Sequence, residues 1–296
     1  MPSPTAAGPT AAGVPRRAFG RSLAALALLL PLAAFTPKEN IFAPGAKLWP
    51  RWQAHDPQST EHIDFADWDR LLMTYVMEGE GANLFDYAAV TGADRQALDG
   101  FLARMAALPI SRFARPQQFA YWINLYNALT VRVVLDHFPV ETIRDIDISP
   151  GWFADGPWDK ALIEVEGEAL TLNDIEHRIL RPIWRDPRIH YAVNCASIGC
   201  PDLRPTAYRA EGLDAALDEA ARSYVNDPRG VTIRDGRITV SKIYDWFYED
   251  FGRSPESLKA HLLRYAEPEL AAQMEAIGKI HDTDYDWRLN AARPSG

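Results

Sequence analysis

The chain has 296 residues, 47% apolar and 24% charged, enough apolar material to bury a core in one large domain or two small ones. Its formal net charge is −9 and no basic run offsets it, which disfavours nucleic acid and anionic lipid as partners held by charge. No internal repeat and no glycine-rich phosphate loop is visible, so the sequence implies no nucleotide and no other cofactor.

At the amino end, Arg16-Arg-Ala-Phe-Gly-Arg21 precedes an apolar run over residues 22–35 with small residues at Ala33 and Ala34. A basic stretch, an apolar stretch and small residues are the layout of an export signal, too short for a comfortable membrane span. The paired arginines followed by Phe19 and Arg21 resemble a twin-arginine signal, with Gly20 where an apolar residue is usual. Residues 1–36 are thus expected to direct export, to the periplasm or outside the cell, and to leave a mature chain without a stable membrane span. Their removal takes away three arginines and no acid, moving the net charge from −9 to −12. Residues 37–60, rich in proline and tryptophan, read as a linker or surface arm, and residues 291–296 as a flexible tail.

Helical spacing follows at 65–76 (Phe65, Trp68, Leu71, Leu72, Tyr75) and 95–107 (Leu98, Leu102, Met105). Pro116 suits the first turn of the next helix, which runs through 118–135, stops before Pro139 and is apolar nearly all round, as a central buried helix should be. After a loop with Trp152, Phe153 and Trp158, residues 161–165 and 169–172 read as two strands joined at Glu166-Gly167. Thr171 and Asp174 fit a capping box that opens a short helix over 172–180, ended by Pro182. A strand is predicted over 190–195 and a helix over 213–225. Residues 231–240 form a hairpin around Asp235-Gly236, which suits a tight turn with positive φ. Further helices start near Ser241, Glu256 and Pro268. Helices and a few mostly antiparallel strands in separate blocks predict an α+β domain over 61–290, a central buried helix and further helices packed on a small sheet.

Four motifs stand out in this order: Tyr121-Trp-Ile-Asn-Leu-Tyr-Asn127, Leu172-Asn-Asp-Ile-Glu-His177, His190-Tyr-Ala-Val-Asn-Cys-Ala-Ser-Ile-Gly-Cys-Pro201 and Tyr285-Asp-Trp-Arg-Leu-Asn290. Together, over roughly residues 60–290, they resemble the family called domain of unknown function 547, found in exported bacterial proteins and in plant proteins where it follows a coiled coil. The resemblance implies one site-bearing domain and brings no settled activity. The layout also faintly resembles thiol hydrolases of the papain and transglutaminase kind, although in those the cysteine opens the central helix and here it comes after.

The third motif holds both cysteines, and three readings compete. In the first, Cys195 is a nucleophile acting on an amide- or ester-like bond of a small-molecule or peptide-like ligand, so that the protein is a hydrolase or transferase. On a strand His190 faces away from Cys195, five residues on, so His177 is the base, with Glu176 orienting it or binding substrate. Asn124 and Asn127 share a helix face, Tyr126 adjoins them, and together with Asn194, Ser197 and His190 they line the pocket; the asparagines assist an oxyanion or else pin loop backbone. In the second reading Cys195 and Cys200 form a disulfide that staples a non-catalytic envelope module, the turn at Ile198-Gly199 closing a gap of about 16 Å in the extended chain. In the third, Cys195, Cys200, His177 and His190 bind zinc, against which count the wide cysteine spacing and the direction of His190. No metal is therefore expected at the site. Asp245 and Asp286 read as caps or ion-pair partners, and Trp152, Trp158 and Trp287 as anchors.

Overall fold

The computed structural model describes residues 1–5, 8, 44–79, 81–150 and 155–292. The chain divides into Met1–Ala33 and Ala34–Gly296, and the second unit is the one described below. The apolar run of the expected export signal, Trp152, Phe153 and the end of the expected tail lie outside the described residues.

In chain order the first half contains α1 (Ala66–Tyr75), a short antiparallel pair of β1 (Val76–Met77) and β2 (Leu84–Phe85), α2 (Gly92–Ala107) and α3 (Arg115–His137). Pro116 lies in the first turn of α3, where its missing N–H is no loss. Every residue of 117–131 is buried, which is why this helix is apolar all round rather than along one stripe. The ring of Trp68 on α1 stacks on Phe101 of α2 at 6.1 Å, and Tyr121 donates to the Met105 carbonyl at 2.9 Å. Each large side chain taken wholly out of water here contributes about 1.5–3 kcal/mol, so this aromatic layer carries much of the first core.

Two hairpins follow from paired positive φ angles. Glu166 (47°) and Gly167 (82°) join β3 (Ile163–Val165) to β4 (Glu168–Leu170), and Asp235 (50°) and Gly236 (68°) join β5 (Val231–Arg234) to β6 (Arg237–Ser241). Such pairs form the two-residue turn whose twist matches antiparallel strands. The expected capping box is present: Asp174 N–H donates to Thr171 Oγ1 at 2.9 Å and Thr171 N–H to Asp174 Oδ2 at 3.1 Å.

The helix it opens does not end at Pro182. It takes π geometry over Asp174–Leu180 and runs on into α4 (Arg181–Trp184). The Arg181 N–H bonds Glu176 O, five residues back, so His177 O is left without its α-helical donor, and Pro182 has no N–H for Arg178 O. Residues 47–49 fill both vacancies: Lys47 N–H donates to His177 O at 2.9 Å and Trp49 N–H to Arg178 O at 3.0 Å. The Trp49 ring lies under the Arg178 guanidinium at 4.1 Å. The proline in the helix thus explains where residues 46–52 lie.

The strand predicted over 190–195 begins as a helical turn, α5 (Ile189–Ala192), and the backbone is extended again at Val193. Asp186 Oδ1 caps the Arg188 N–H at 2.9 Å, and Pro187 O accepts from His190 N–H. A short apolar run reads alike for a strand and a buried helical turn, and the Asp-Pro cap decides between them. The rest is α6 (Leu213–Asn226), α7 (Ile243–Trp246), α8 (Pro255–Tyr265), α9 (Pro268–Ile277) and β7 (Ile280–Asp284). The sequence reading lacks β7, which pairs parallel to β6: after Ile280 its residues are polar or acidic, and no apolar alternation announces it. The architecture is α+β, and among the described residues the strands form three small sheets, paired antiparallel except at β6–β7. Tyr191 of α5 links the loop region to a second core of Tyr224, Tyr244, Phe251, Leu258 and Leu262.

Candidate functional site

The 194–201 loop is folded back on itself by its own side chains. Asn194 Oδ1 accepts from Ala196 N–H at 2.8 Å, and Asn194 Nδ2 donates to Pro201 O at 2.7 Å. Ala196 adopts φ 58°, a left-handed conformation that costs a residue with a Cβ about 1 kcal/mol or more and that the surroundings must enforce. The chain then turns so that Cys200 N–H bonds Ser197 O at 3.1 Å. Two of the loop's carbonyls are held by side chains from outside, Gly199 O by Tyr224 at 2.6 Å and Cys200 O by Arg229 at 3.0 Å. Opposite it runs the closing segment: Ile198 N–H to Arg288 O, Gly199 N–H to Asp286 O and Asn290 N–H to Ala196 O. Gly199 is required there, because a Cβ would stand 2.7 Å from the Asp286 nitrogen. Asp286 in turn is ion-paired with Arg288.

This folding brings Cys195 and Cys200 together as free thiols, their sulfurs 3.1 Å apart. The disulfide of the second reading is therefore not formed. Cys195 is partly exposed and Cys200 buried. Cys195 Sγ also has Ser197 Oγ at 3.2 Å and the Tyr285 hydroxyl at 3.1 Å, while Cys195 N–H donates to Cys200 Sγ at 3.0 Å. The Cys200 thiol is the largest influence on the pKa of Cys195 and lowers it; burial opposes it, and the two hydroxyls assist. Burial, followed by the neighbouring Cys195, pushes Cys200 well up, and burial with both sulfurs does the same to Tyr285, which therefore keeps its proton and donates. Of the two thiols, Cys195 is the one whose ionised form its neighbours favour. Tyr285 meets Trp246 and Trp287 at 4.7 Å each, and Trp287 meets Trp158 at 6.1 Å, all four rings only partly buried. Trp158 and Trp287 thus anchor a shelf of rings that begins at the sulfur.

Glu176, His177 and His190 belong to a second cluster, built on the π-helix. Arg181 lies with its guanidinium over Phe247 and donates to Asp250 at 2.5 Å, Glu249 at 2.8 Å, Pro44 O at 2.7 Å and His177 Nδ1 at 3.0 Å. Guanidinium only donates, so Nδ1 of His177 is a lone pair and its proton sits on Nε2. Burial, against the pull of Glu176, lowers the pKa of His177 to about 4, so it is neutral at pH 7. Burial pushes Glu176 up, but His177, His190 and Arg181 outweigh it and hold the carboxylate at about 2. His190 stacks on Phe247 at 3.9 Å, gives Nε2–H to Asp250 at 2.7 Å, and has Nδ1 3.7 Å from Glu176 with no hydrogen bond made. Burial, then Glu176 and Cys195, raise the pKa of the buried Tyr126 hydroxyl, so it keeps its proton.

The structure therefore groups Cys195 with Cys200 and Ser197, and His177 with Glu176 and His190, but no hydrogen bond joins His177 to Cys195 among the described residues. Nor does any group of three or more His, Cys, Asp or Glu among them stand ready to hold a metal ion, so the four residues of the zinc reading are not assembled as ligands. What keeps His190 from the sulfur is also not strand alternation: it lies on a helical turn and is engaged by Asp250.

Asn124 and Asn127 pin backbone. Asn124 donates to Tyr208 O at 2.7 Å and accepts from Tyr208 N–H at 3.1 Å; Asn127 donates to Ala192 O at 2.9 Å and accepts from Asn194 N–H at 2.8 Å. Both amides bridge α3 to a neighbouring loop, and Asn127 sets the position from which the thiol loop departs. Asn127→Ala strands a buried carbonyl and a buried N–H, each worth about 1–3 kcal/mol, so a loss of about 2–4 kcal/mol is expected in urea denaturation. A loss under about 0.5 kcal/mol would show that water replaces the amide.

The sequence alone does not single out Tyr285, Arg181, Asp250 or Arg229 as parts of the site. Arg181 stands four residues after His177 on the same helix face, a signal available there; the others reach the site from far along the chain. Among the described residues no helix is long and apolar enough to cross a membrane. No curated protein and no solved structure matches the chain. Residues 110–225 match the family model described as "Protein of unknown function, DUF547", which takes in α3, the π-helix and the thiol loop and stops before Asp250 and Tyr285. The match supports a DUF547 domain over that segment, which is narrower than the span of the four motifs.

Proposed function

We propose that the domain carries out thiol-dependent group transfer, as a hydrolase or transferase, with Cys195 as the nucleophile. The observation that carries this is the asymmetry of the cysteine pair: Cys195, a partly exposed residue, has Cys200 Sγ, Ser197 Oγ and the Tyr285 hydroxyl within 3.2 Å of its sulfur, and Cys200 is buried. Donors around a sulfur favour its thiolate, the form that attacks. A carbonyl substrate, the amide- or ester-like bond, would in addition need an acid for its leaving group. His177 holds its proton on Nε2 and its lone pair on Arg181, so Tyr285 and Ser197 are the hydroxyls at hand. The export reading of residues 1–36 would put this thiol in an oxidising compartment.

Alkylation of the native protein tests this. Iodoacetamide is expected to modify Cys195 and spare Cys200, with a pH midpoint below the ordinary thiol value of 9.0. Tyr285→Phe removes one donor and should move the midpoint upward. A Cys195 that reacts only after unfolding, or with a midpoint above 9, would overturn the reading.

A further inference from the structure

The contact between the two sulfurs says more about the substrate than the nucleophile does. A thiolate that attacks an amide must expel an amine, which leaves only when protonated; a thiolate that attacks a disulfide expels another thiolate, which needs no proton. The polar groups at Cys195 Sγ are two hydroxyls and a second thiol, and the imidazoles of His177 and His190 are engaged by Arg181 and Asp250. We propose that Cys195 and Cys200 are the attacking and resolving thiols of a disulfide-exchange site, and that its substrate is a disulfide. This rests on the reading of Cys195 as nucleophile and names the electrophile.

The geometry supplies each requirement. The sulfurs are 3.1 Å apart, and a disulfide bond is about 2.0 Å long, so closure needs a movement of about 1 Å. The backbone that brings positions 195 and 200 together is held by the Asn194 side chain, the left-handed Ala196 and the pressed contact at Gly199. Access is ordered: Cys195 is a partly exposed residue and Cys200 a buried one. An incoming disulfide therefore meets Cys195 before Cys200.

In the first step Cys195 thiolate attacks one sulfur of R–S–S–R′; the S–S bond breaks, R′S⁻ leaves and a Cys195–S–S–R bond forms. Cys200 then loses its proton to water or to the departing thiolate and attacks Cys195 Sγ; RS⁻ leaves and the Cys195–Cys200 bond forms. Two thiols of the chain are oxidised and one substrate disulfide is reduced to two thiols. The shelf of Tyr285, Trp246, Trp287 and Trp158 adjoins the sulfur and offers an apolar surface to the substituent R.

The test incubates the reduced full chain, at equal protein concentration, with oxidised glutathione in one arm and a disulfide-bonded peptide in another, followed by mass spectrometry and a count of released thiols. The expected result is two substrate thiols released per chain, no adduct retained, and the chain lighter by two hydrogens with Cys195 bonded to Cys200. Cys200→Ser should trap one substituent on Cys195, and Cys195→Ser should lose all reaction. Reaction with glutathione alone marks a small disulfide as the substrate, and with the peptide alone a protein disulfide; either supports the proposal. A lasting wild-type adduct, or no reaction in either arm while iodoacetamide still modifies native Cys195, overturns the disulfide assignment and leaves the nucleophile standing. A native chain inert to both iodoacetamide and disulfides overturns the two together. The wild-type stoichiometry decides the matter even if a cysteine variant does not fold.

Discussion

Arg181→Met is expected to destabilise the folded chain by about 3–5 kcal/mol, read as a shift of the urea midpoint at pH 7.5. Methionine keeps much of the volume and loses every donor. The Arg181 side chain is only 1% exposed and holds Asp250 at 2.5 Å and Glu249 at 2.8 Å. Asp250 also faces His190, and buried Glu176 feels the same guanidinium. Removing this permanent cation leaves Glu249 and Asp250 without the buried guanidinium that pairs them, a penalty far above that of an exposed ion pair, about 0–1 kcal/mol. Arg181→Lys keeps the charge and loses the fork that reaches two carboxylates, a carbonyl and an imidazole at once, so it should fall between the two proteins. The arm should respond as well, since Arg181 holds Pro44 O and the π-helix carbonyls hold Lys47 and Trp49. Limited proteolysis of Arg181→Met is expected to cut first between residues 44 and 60. A loss below 1 kcal/mol would mean that water reaches the cluster and already screens it.

How much of this is legible in the sequence depends on how local each cause is. The central helix is legible because the polar side chains of 117–131 are few, and its asparagines and Thr130 find backbone partners instead of water. Both hairpins are legible because Glu166-Gly167 and Asp235-Gly236 state their turn type in two residues. The thiol loop is not. Its closure depends on an alanine in the left-handed region, where glycine or asparagine would be the expected residue, and on tail residues 285–290 that lie some ninety positions from Cys195. The π-turn is half legible: Pro182 announces a broken ladder, but the donors that repair it come from residues 47 and 49. His177 reads as a base because it is a histidine on the helix that precedes the cysteines. What it does is set by Arg181, one turn later, whose fixed donors leave the ring no free lone pair.

The burial of that ring, with Arg181 beside it, makes the protein acid-sensitive in a defined way. Stability is expected to fall as the pH is lowered from about 6.5 to about 4, by a few kcal/mol, with further loss toward pH 2. The folded pKa of His177 is about 4 against an ordinary 6.5, because burial disfavours the imidazolium more than Glu176 favours it. Between those values the unfolded chain binds a proton that the folded chain refuses. The contribution of His177 is therefore fully present above pH 6.5 and lost as the pH falls through 4, at about 1.4 kcal/mol for each pH unit between the two. His261, lowered to about 4 chiefly by burial, adds in the same direction. Glu176 and Asp250, each held at about 2 against 4.5 and 3.8 by the cations and imidazoles that overcome burial, act in a lower window. Their contribution is complete above about pH 4.5 and lost toward pH 2. Urea denaturation of the native chain and His177→Asn at pH 7.5, 5.5, 4 and 3 separates the windows. Asparagine can offer Arg181 an oxygen near the place of Nδ1 and does not titrate, so the variant should lose close to one proton's worth of slope between pH 6.5 and 4 and keep the loss below 4. A native chain whose stability stays level across the upper window would mean that His177 is protonated inside the fold, which its contact with a guanidinium forbids unless Arg181 moves away.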